Sequence, residues 1–415
     1  MIPAQVLDDR ARRRLILCRG LRSIGQGMLV VDFPLYLDAL GWNGVQIGGL
    51  FTAIMLVQIV VTLFSGPLSD RHGRRGFLLA YDSVLVGAAL LAFFTPAGWA
   101  VTLAALAGSF GRGMNGAAGA FSPVEQAWLA RVTRPARRGG TFSLNTAVGS
   151  FGMAAGALIG ALPSLSGHAL PQAAAYRPMF LLVLVAAVAT LGVILTLREP
   201  LHLPRPPQAP PRKEENSRIL HIVLVTAING AGIGLVTPLI TYWFLVRFGK
   251  GPAEIAPVLA ASAAAAGVMA LFAGRLVRHG HLVKTVVIIR AVAVLLLLAL
   301  PLAPTFLIAA FCYAARSALN RSTIGARQAL NLSLVSDQRR GLAATLSSLG
   351  RQIPRSAGPI IAGTLFAARA FGVPFFAAAG LQGVYLFVYG RVFGSYEKRL
   401  PELADAGGTR RGPPS

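Results

Sequence analysis

Gly66-Pro67-Leu68-Ser69-Asp70-Arg71-His72-Gly73-Arg74-Arg75 lies between two apolar runs, and its composition dictates the kind of connection it makes. Gly66 and Gly73 can take backbone angles closed to other residues. Asp70, among Arg71, Arg74 and Arg75, offers a carboxylate that locks a tight turn through charge-assisted bonds. A turn this basic between segments this apolar belongs at a membrane surface, and its arginines hold it on the cytoplasmic side.

The rest of the chain agrees. Of 415 residues, 54% are hydrophobic and 13% charged, and the mean hydropathy is +0.62. That is too apolar for a soluble enzyme of this size, and it is the composition of a polytopic membrane protein whose spans each need about 20 apolar residues. The formal net charge of +24 is spread over many loops and not gathered on one face with aromatic platforms, so no nucleic-acid partner is expected. With a cytoplasmic N-terminus, Arg177, Arg247, Lys250 and Arg369 are the basic loop residues that fall outside, so both termini are expected in the cytoplasm. Cys18 and Cys312 stand in apolar surroundings in different halves and read as packing residues. Arg12-Arg13-Arg14 and the apolar run behind it read as an uncleaved first span.

Twelve apolar runs are legible, at about 15–40, 44–66, 76–95, 99–121, 141–162, 177–197, 219–246, 254–275, 283–301, 304–326, 341–366 and 373–394. The predicted organisation is a six-helix bundle over 1–197, a solvated proline-rich cytoplasmic linker over 198–218, a second bundle over 219–400 and a disordered cytoplasmic tail over 401–415. The halves repeat each other. Asp32-Phe33-Pro34-Leu35-Tyr36 in span 1 corresponds to Val236-Thr237-Pro238-Leu239-Ile240 in span 7, and Arg137-Arg138-Gly139 before span 5 to Arg339-Arg340-Gly341 before span 11. Gly274 to Gly280 stands where a second copy of the Gly66–Arg75 turn is due, without its Asp. Pro34 and Pro238 each remove a backbone donor in mid-span, which a bilayer tolerates beside protein or a cavity. Gly149, Gly152, Gly156 and Gly160 give span 5 a smooth face for close helix contact.

The turn fits G-x-L-x-D-R-x-G-R-R, and so resembles the loop between helices 2 and 3 of the major facilitator superfamily; the plan of six spans, a linker and six spans extends the resemblance over essentially the whole chain. The resemblance implies an all-α membrane protein with twelve transmembrane helices in two pseudo-symmetric six-helix bundles. It implies a monomeric secondary transporter that exposes a central cavity, lined by spans 1, 4, 7 and 10, to one side of the membrane at a time. Gly66, Asp70, Arg71, Gly73, Arg74 and Arg75 would then belong to a cytoplasmic gate, with Asp70 closing against the start of span 11. Arg112-Gly113-Met114-Asn115-Gly116 is similar to the R-x-x-x-G motif of proton-coupled drug exporters. That similarity implies a part for Arg112 in proton coupling, with Asp32 as the carboxylate that loads and releases the proton.

Ionisable groups inside spans cost several kcal/mol and face a cavity or a partner. Here they are Arg22 and Asp32 on span 1, Arg112 on span 4, Arg290 on span 9, Arg316 and Arg321 on span 10, and Arg351 and Arg355 on span 11. Asp32 shares a helical face with Tyr36, and Arg22 with Gln26. Arg22, Gln26, Tyr36, Asn115, Asn229, Tyr313, Arg316 and Asn320 are the expected cavity residues. Arg321, Arg351 and Arg355 are expected to snorkel toward the cytoplasmic ends. Glu125 and the repeat-related Arg327 carry opposite signs and suggest a pair across the gate.

These residues point to a secondary active transporter in a bacterial inner membrane, moving a small organic solute, with proton-coupled efflux as the leading expectation. Organic-anion uptake and lipid flipping on the same fold are the alternatives, followed by a non-transporting receptor. No cofactor is expected beyond a proton gradient as energy source. The six histidines lack metal-ligand spacing. Neither a nucleotide-binding loop nor an inward-facing nucleophile appears, so an enzyme is not expected.

Overall fold

The computed structural model of the protein describes residues 9–111, 119, 121–134, 137–167, 172–199, 213–276, 282–324, 327, 330, 335 and 340–408. At 66–67, 70–72, 166, 213–214, 273–276, 282, 340–342 and 397–408 it describes the backbone alone. The first half contains α1 (Asp9–Ala39), α2 (Gly44–His72), α3 (Arg74–Phe94), α4 (Gly98–Gly108), α5 (Ser122–Val132), α6 (Arg138–Ile159) and α7 (Pro178–Leu195). The second contains α8 (Lys213–Gly234), α9 (Ile240–Phe248), α10 (Pro252–Leu276), α11 (Leu282–Ala299), α12 (Phe306–Ser322), α13 (Arg340–Ser356), α14 (Gly358–Ala367) and α15 (Val373–Gly408). The pairs α4/α5, α8/α9 and α13/α14 are each one span in two pieces, which makes twelve spans in two sets of six.

Eight of these helices are individually long and apolar enough to cross a membrane. The outer faces of these eight carry Phe64, Leu295 and Phe387, and that of α12 carries Phe311, each more than 60% exposed. Such a belt of large apolar side chains is matched to hydrocarbon, not to water.

Several boundaries differ from the sequence reading. α2 runs beyond 66 to His72, and span 11 is interrupted at Ala357. Span 4 is not continuous over 99–121: α4 stops at Gly108, Ser109 turns left-handed at φ 52, and the next described helix begins at Ser122 with a proline in its first turn. Glu125 therefore sits inside a helix and not beyond its end. Pro34 stays within an unbroken α1, whereas its repeat partner Pro238 lies in the gap between α8 and α9. The last helix runs to Gly408, so residues 401–408, expected in a disordered tail, are helical. Most of the linker, 200–212, and the tail beyond 408 lie outside the described residues.

The glycine stripe of α6 does what its spacing predicts. Gly149, Gly152, Gly156 and Gly160 stand against Arg19, Gly20, Ile24 and Val31 of α1, and a Cβ on Gly156 would strike the Ile24 carbonyl. Between the bundles, Gly44 and Gly48 of α2 meet Gly363 and Pro359 of α14 backbone to backbone. Thr52 Oγ1 accepts from the Ile360 amide at 3.1 Å, and Thr241 Oγ1 donates to the Val30 carbonyl at 3.0 Å.

The hydrophobic interior is divided in three. One core takes residues from both bundles, among them Val31, Phe51, Phe110, Trp243, Phe244 and Phe375, at the end of the molecule away from the chain termini. Nearer the termini each bundle closes a core of its own. The first is built around Leu15, Leu78, Trp128 and Ile194, and the second around Ile222, Val286, Tyr385 and Phe393.

Candidate functional site

Within the first bundle α1, α3 and α5 bring three charges together. Arg22 donates from Nε to Asp82 Oδ1 at 3.0 Å, from Nη2 to Asp82 Oδ2 at 2.6 Å and from Nη1 to Glu125 Oε2 at 2.6 Å. All three side chains are buried, and the guanidinium lies 4.4 Å from the centre of the Phe121 ring. Asn145 and Arg19 stand within electrostatic range of Glu125. Two arginines thus face two carboxylates, a balance that makes burial of so many ions tolerable. Arg22, expected in the cavity, has its guanidinium committed to these carboxylates. The expected pairing of Glu125 with Arg327 is likewise corrected: Glu125 is held by Arg22, and Arg327 Nη1 instead reaches the Tyr385 hydroxyl at 3.4 Å within the second bundle.

The basic turn is locked from outside itself. Glu199, just past α7, accepts from the backbone amides of Arg74 at 2.8 Å and Arg75 at 3.0 Å. These are orphan donors at the N-terminus of α3, where a negative charge is favoured. Gly73 turns left-handed at φ 81, and a Cβ there would stand 2.8 Å from a Glu199 oxygen, so the corner requires glycine twice over. Arg74 donates to the Ala127 carbonyl at 3.1 Å and Arg75 to the Leu195 carbonyl at 2.9 Å, tying the turn to spans 4 and 6. Gly66, expected to share the bend, does not: α2 runs through it to His72, and the corner is made at Gly73. The side chains of Asp70 and Arg71 lie outside what is described.

Asp32 sits in the core shared by the two bundles. It is fully buried, and neither carboxylate oxygen has a hydrogen-bond partner among the described residues. Tyr36, one turn on, packs its ring against Phe180 at 5.4 Å and Tyr176 at 6.4 Å, and its hydroxyl is also unpartnered. Arg112 and Asn115, the other residues expected beside it, lie outside the described residues. Gln26 lines a small cleft in the first bundle with Arg22, Tyr81 and Leu85.

In the second bundle the related spans 7 and 9 contribute Asn229 and Arg290. Arg290 Nη2 donates to Asn229 Oδ1 at 2.6 Å, and its guanidinium lies 4.7 Å from the Tyr385 ring centre. Tyr313 and Arg316 of α12 are buried, and Asn320 carries an enclosed, unpartnered Oδ1. Arg355 does not snorkel as expected, being 9% exposed. Its helix packs onto α8 at Gly230 and Gly234, where a Cβ would strike the carbonyls of Arg351 and Arg355.

Two important residues were missed in the sequence. Asp82 is the sole carboxylate in the apolar run 76–95, and that was signal enough. Glu199 borders the linker and carries no local sign of its role as a cap 124 and 125 residues away.

The sequence profile described as Major Facilitator Superfamily matches residues 15–359. The multidrug resistance protein MdtH of Cronobacter sakazakii is 30% identical over 156 residues, which cover 34% of this chain and 37% of that protein. The chain therefore spans little more than a third of the length of the curated relatives it matches. Among solved structures, the human organic anion transporter MFSD10 (TETRAN) superimposes with a TM-score of 0.66 at 16% identity, over 92% of this chain and 99% of that one. A point mutant of the nucleoside transporter NupG gives 0.70 at 13% identity, over 92% of this chain and all of that one. At these identities the structural likeness is one of fold.

Proposed function

The chain belongs to the major facilitator superfamily, and from that premise we propose that it is a proton-coupled exporter of a small organic solute in a bacterial inner membrane, with both termini in the cytoplasm. On this reading the far end is periplasmic and the conformation faces inward. The shared core closes the outer side, while toward the cytoplasm the two bundles have separate interiors. The partial similarity to a multidrug resistance protein supports efflux.

Asp32 is the observation that carries proton coupling. It is enclosed by the core that both bundles build, and it has no donor there among the described residues. An ionised carboxylate in such a place costs several kcal/mol, whereas the neutral acid is tolerated. The outer core must part for the protein to open outward, and parting it brings Asp32 to periplasmic water. A proton loaded there lets the core close again; its loss toward the cytoplasm makes the closed core costly and favours reopening with solute aboard. One proton enters for each such cycle, and the solute leaves.

The test is transport in proteoliposomes under an imposed pH gradient. Asp32→Asn is expected to abolish gradient-driven export of an amphipathic dye that the wild type exports, while preserving its exchange at equal pH. Undiminished gradient-driven export by Asp32→Asn would refute the assignment.

A further inference from the structure

The second bundle holds arginines whose charge nothing described in it balances. Between 219 and 396 the sequence contains two acidic residues, Glu254 and Asp337. Glu254 is held by Lys250 at 3.2 Å, at the start of α10, and Asp337 lies outside the described residues. Arg316 on α12 is 3% exposed and Arg355 on α13 is 9% exposed. Enclosed without an acceptor among the described residues are Nε of Arg316, Nε and Nη2 of Arg321, and Nε and Nη2 of Arg355. Arg355 stands within charge range of Arg321, so these two cations face one another from α13 and α12, while Arg316 lies on another face of α12, within range of Arg290.

A guanidinium stays charged in proteins and cannot escape its burial by losing a proton. The first bundle meets the same difficulty by placing Asp82 and Glu125 against Arg22. The second bundle provides no such carboxylates among its described residues. Unpaired ions at membrane depth are expensive, and they mark the path of a partner that comes and goes. The missing partner is an anion, and the forked donors of two facing arginines suit planar or tetrahedral oxyanions. We propose that Arg321 and Arg355 form a subsite for one anionic group, a carboxylate, sulfonate or phosphate, of the exported solute. This rests on the exporter reading above and adds the substrate class to it.

The experiment measures equilibrium binding to delipidated, detergent-purified full chain by calorimetry. The probes are naphthalene-2-carboxylate, naphthalene-2-sulfonate and the neutral methyl ester of the first; phosphatidylglycerol against phosphatidylcholine in mixed micelles serves as the lipid arm. Both naphthalene anions are expected to bind and the ester at least tenfold more weakly. Arg321→Gln and Arg355→Gln are each expected to weaken the anions at least tenfold and leave the ester unchanged. Because each substitution also removes an uncompensated buried charge, the ligand-free variants are expected to melt at or above the wild-type temperature. Wild-type affinity for the anions in the variants, or equal affinity for ester and acid, would overturn the subsite. Arginine-dependent binding of phosphatidylglycerol without binding of either naphthalene anion would overturn its assignment to the solute. A clear fall in the melting temperature of the ligand-free variants would show that the arginines have structural partners, and would overturn it too.

Binding is read without transport, so the two readings fail separately. If Asp32→Asn binds the anions and still exports under a gradient, the proton assignment falls and the subsite stands. If the wild type exports the amphipathic dye under a gradient but binds neither anion, the subsite falls and the proton assignment stands.

Discussion

Arg22→Ala tests the charge network of the first bundle most directly. The substitution removes three hydrogen bonds, at 3.0, 2.6 and 2.6 Å, from two carboxylates that are 0% and 1% exposed. At about 1.5–3 kcal/mol for each bond to a charged group, the gross loss is roughly 4–9 kcal/mol. Water entering the vacated space recovers part of it, and deleting one member of a buried pair elsewhere costs about 3–5 kcal/mol, so about 4 kcal/mol is expected here. Arg22→Lys keeps the charge, but a compact ammonium cannot fork across Asp82 and reach Glu125 as well, which leaves a loss of about 2 kcal/mol. The assay is reversible unfolding in mixed micelles, read by tryptophan emission; Trp128 is buried in the neighbouring core. A loss below about 1 kcal/mol for Arg22→Ala, the size of an exposed ion pair, would refute the claim that this network holds spans 1, 3 and 4 together. So would simple additivity of Arg22→Ala and Glu125→Gln, since groups in one network must couple.

Other expectations follow from single contacts. Gly73→Ala adds a Cβ at φ 81, 2.8 Å from Glu199, and should cost about 1–3 kcal/mol. Glu199→Gln keeps the shape but loses the charge at the α3 N-terminus, for about 0.5–1 kcal/mol; a larger loss for Gln than for the Gly73 substitution in the same unfolding assay would contradict this order. Gly48→Val places a side chain against the Pro359 carbonyl, so the outer core should fail to close. A cysteine introduced at Thr241, 1% exposed in this conformation, should then become reactive to a polar alkylating reagent, and continued protection would show that the α2–α14 contact does not control closure.

Features that depend on near neighbours were legible in the sequence, and those that depend on distant ones were not. The spacing of Gly149, Gly152, Gly156 and Gly160 announces a packing face because a helix carries its own period. The corner at Gly73 could be read from its composition, but its carboxylate could not: Glu199 reaches it from the far end of the half, and chain spacing carries no trace of that approach. Pro34 and Pro238 show the same limit. Their local sequences are alike, yet α1 continues through one while helix is interrupted around the other. The difference lies in the surroundings. Gly234, where α8 ends, is in backbone contact with Arg355 and Gly358 of span 11, whereas α1 at this depth is supported along its length by α6. Asp82 belongs to a third kind, readable by the rule that singled out Asp32 and Arg22 but visible as part of a network only once α3 is placed beside α1.

The division of the interior into two private cores and one common one sets an order of assembly. Each private core draws its residues from one half of the sequence, so the first can be buried while the second half is still being synthesised. The common core cannot exist until both halves are in the bilayer. The seam that opens and closes in the proposed transport cycle is therefore also the last part to be built, and a nascent chain that stalls before the second half arrives would show it to the lipid unsealed, with Asp32 at its edge.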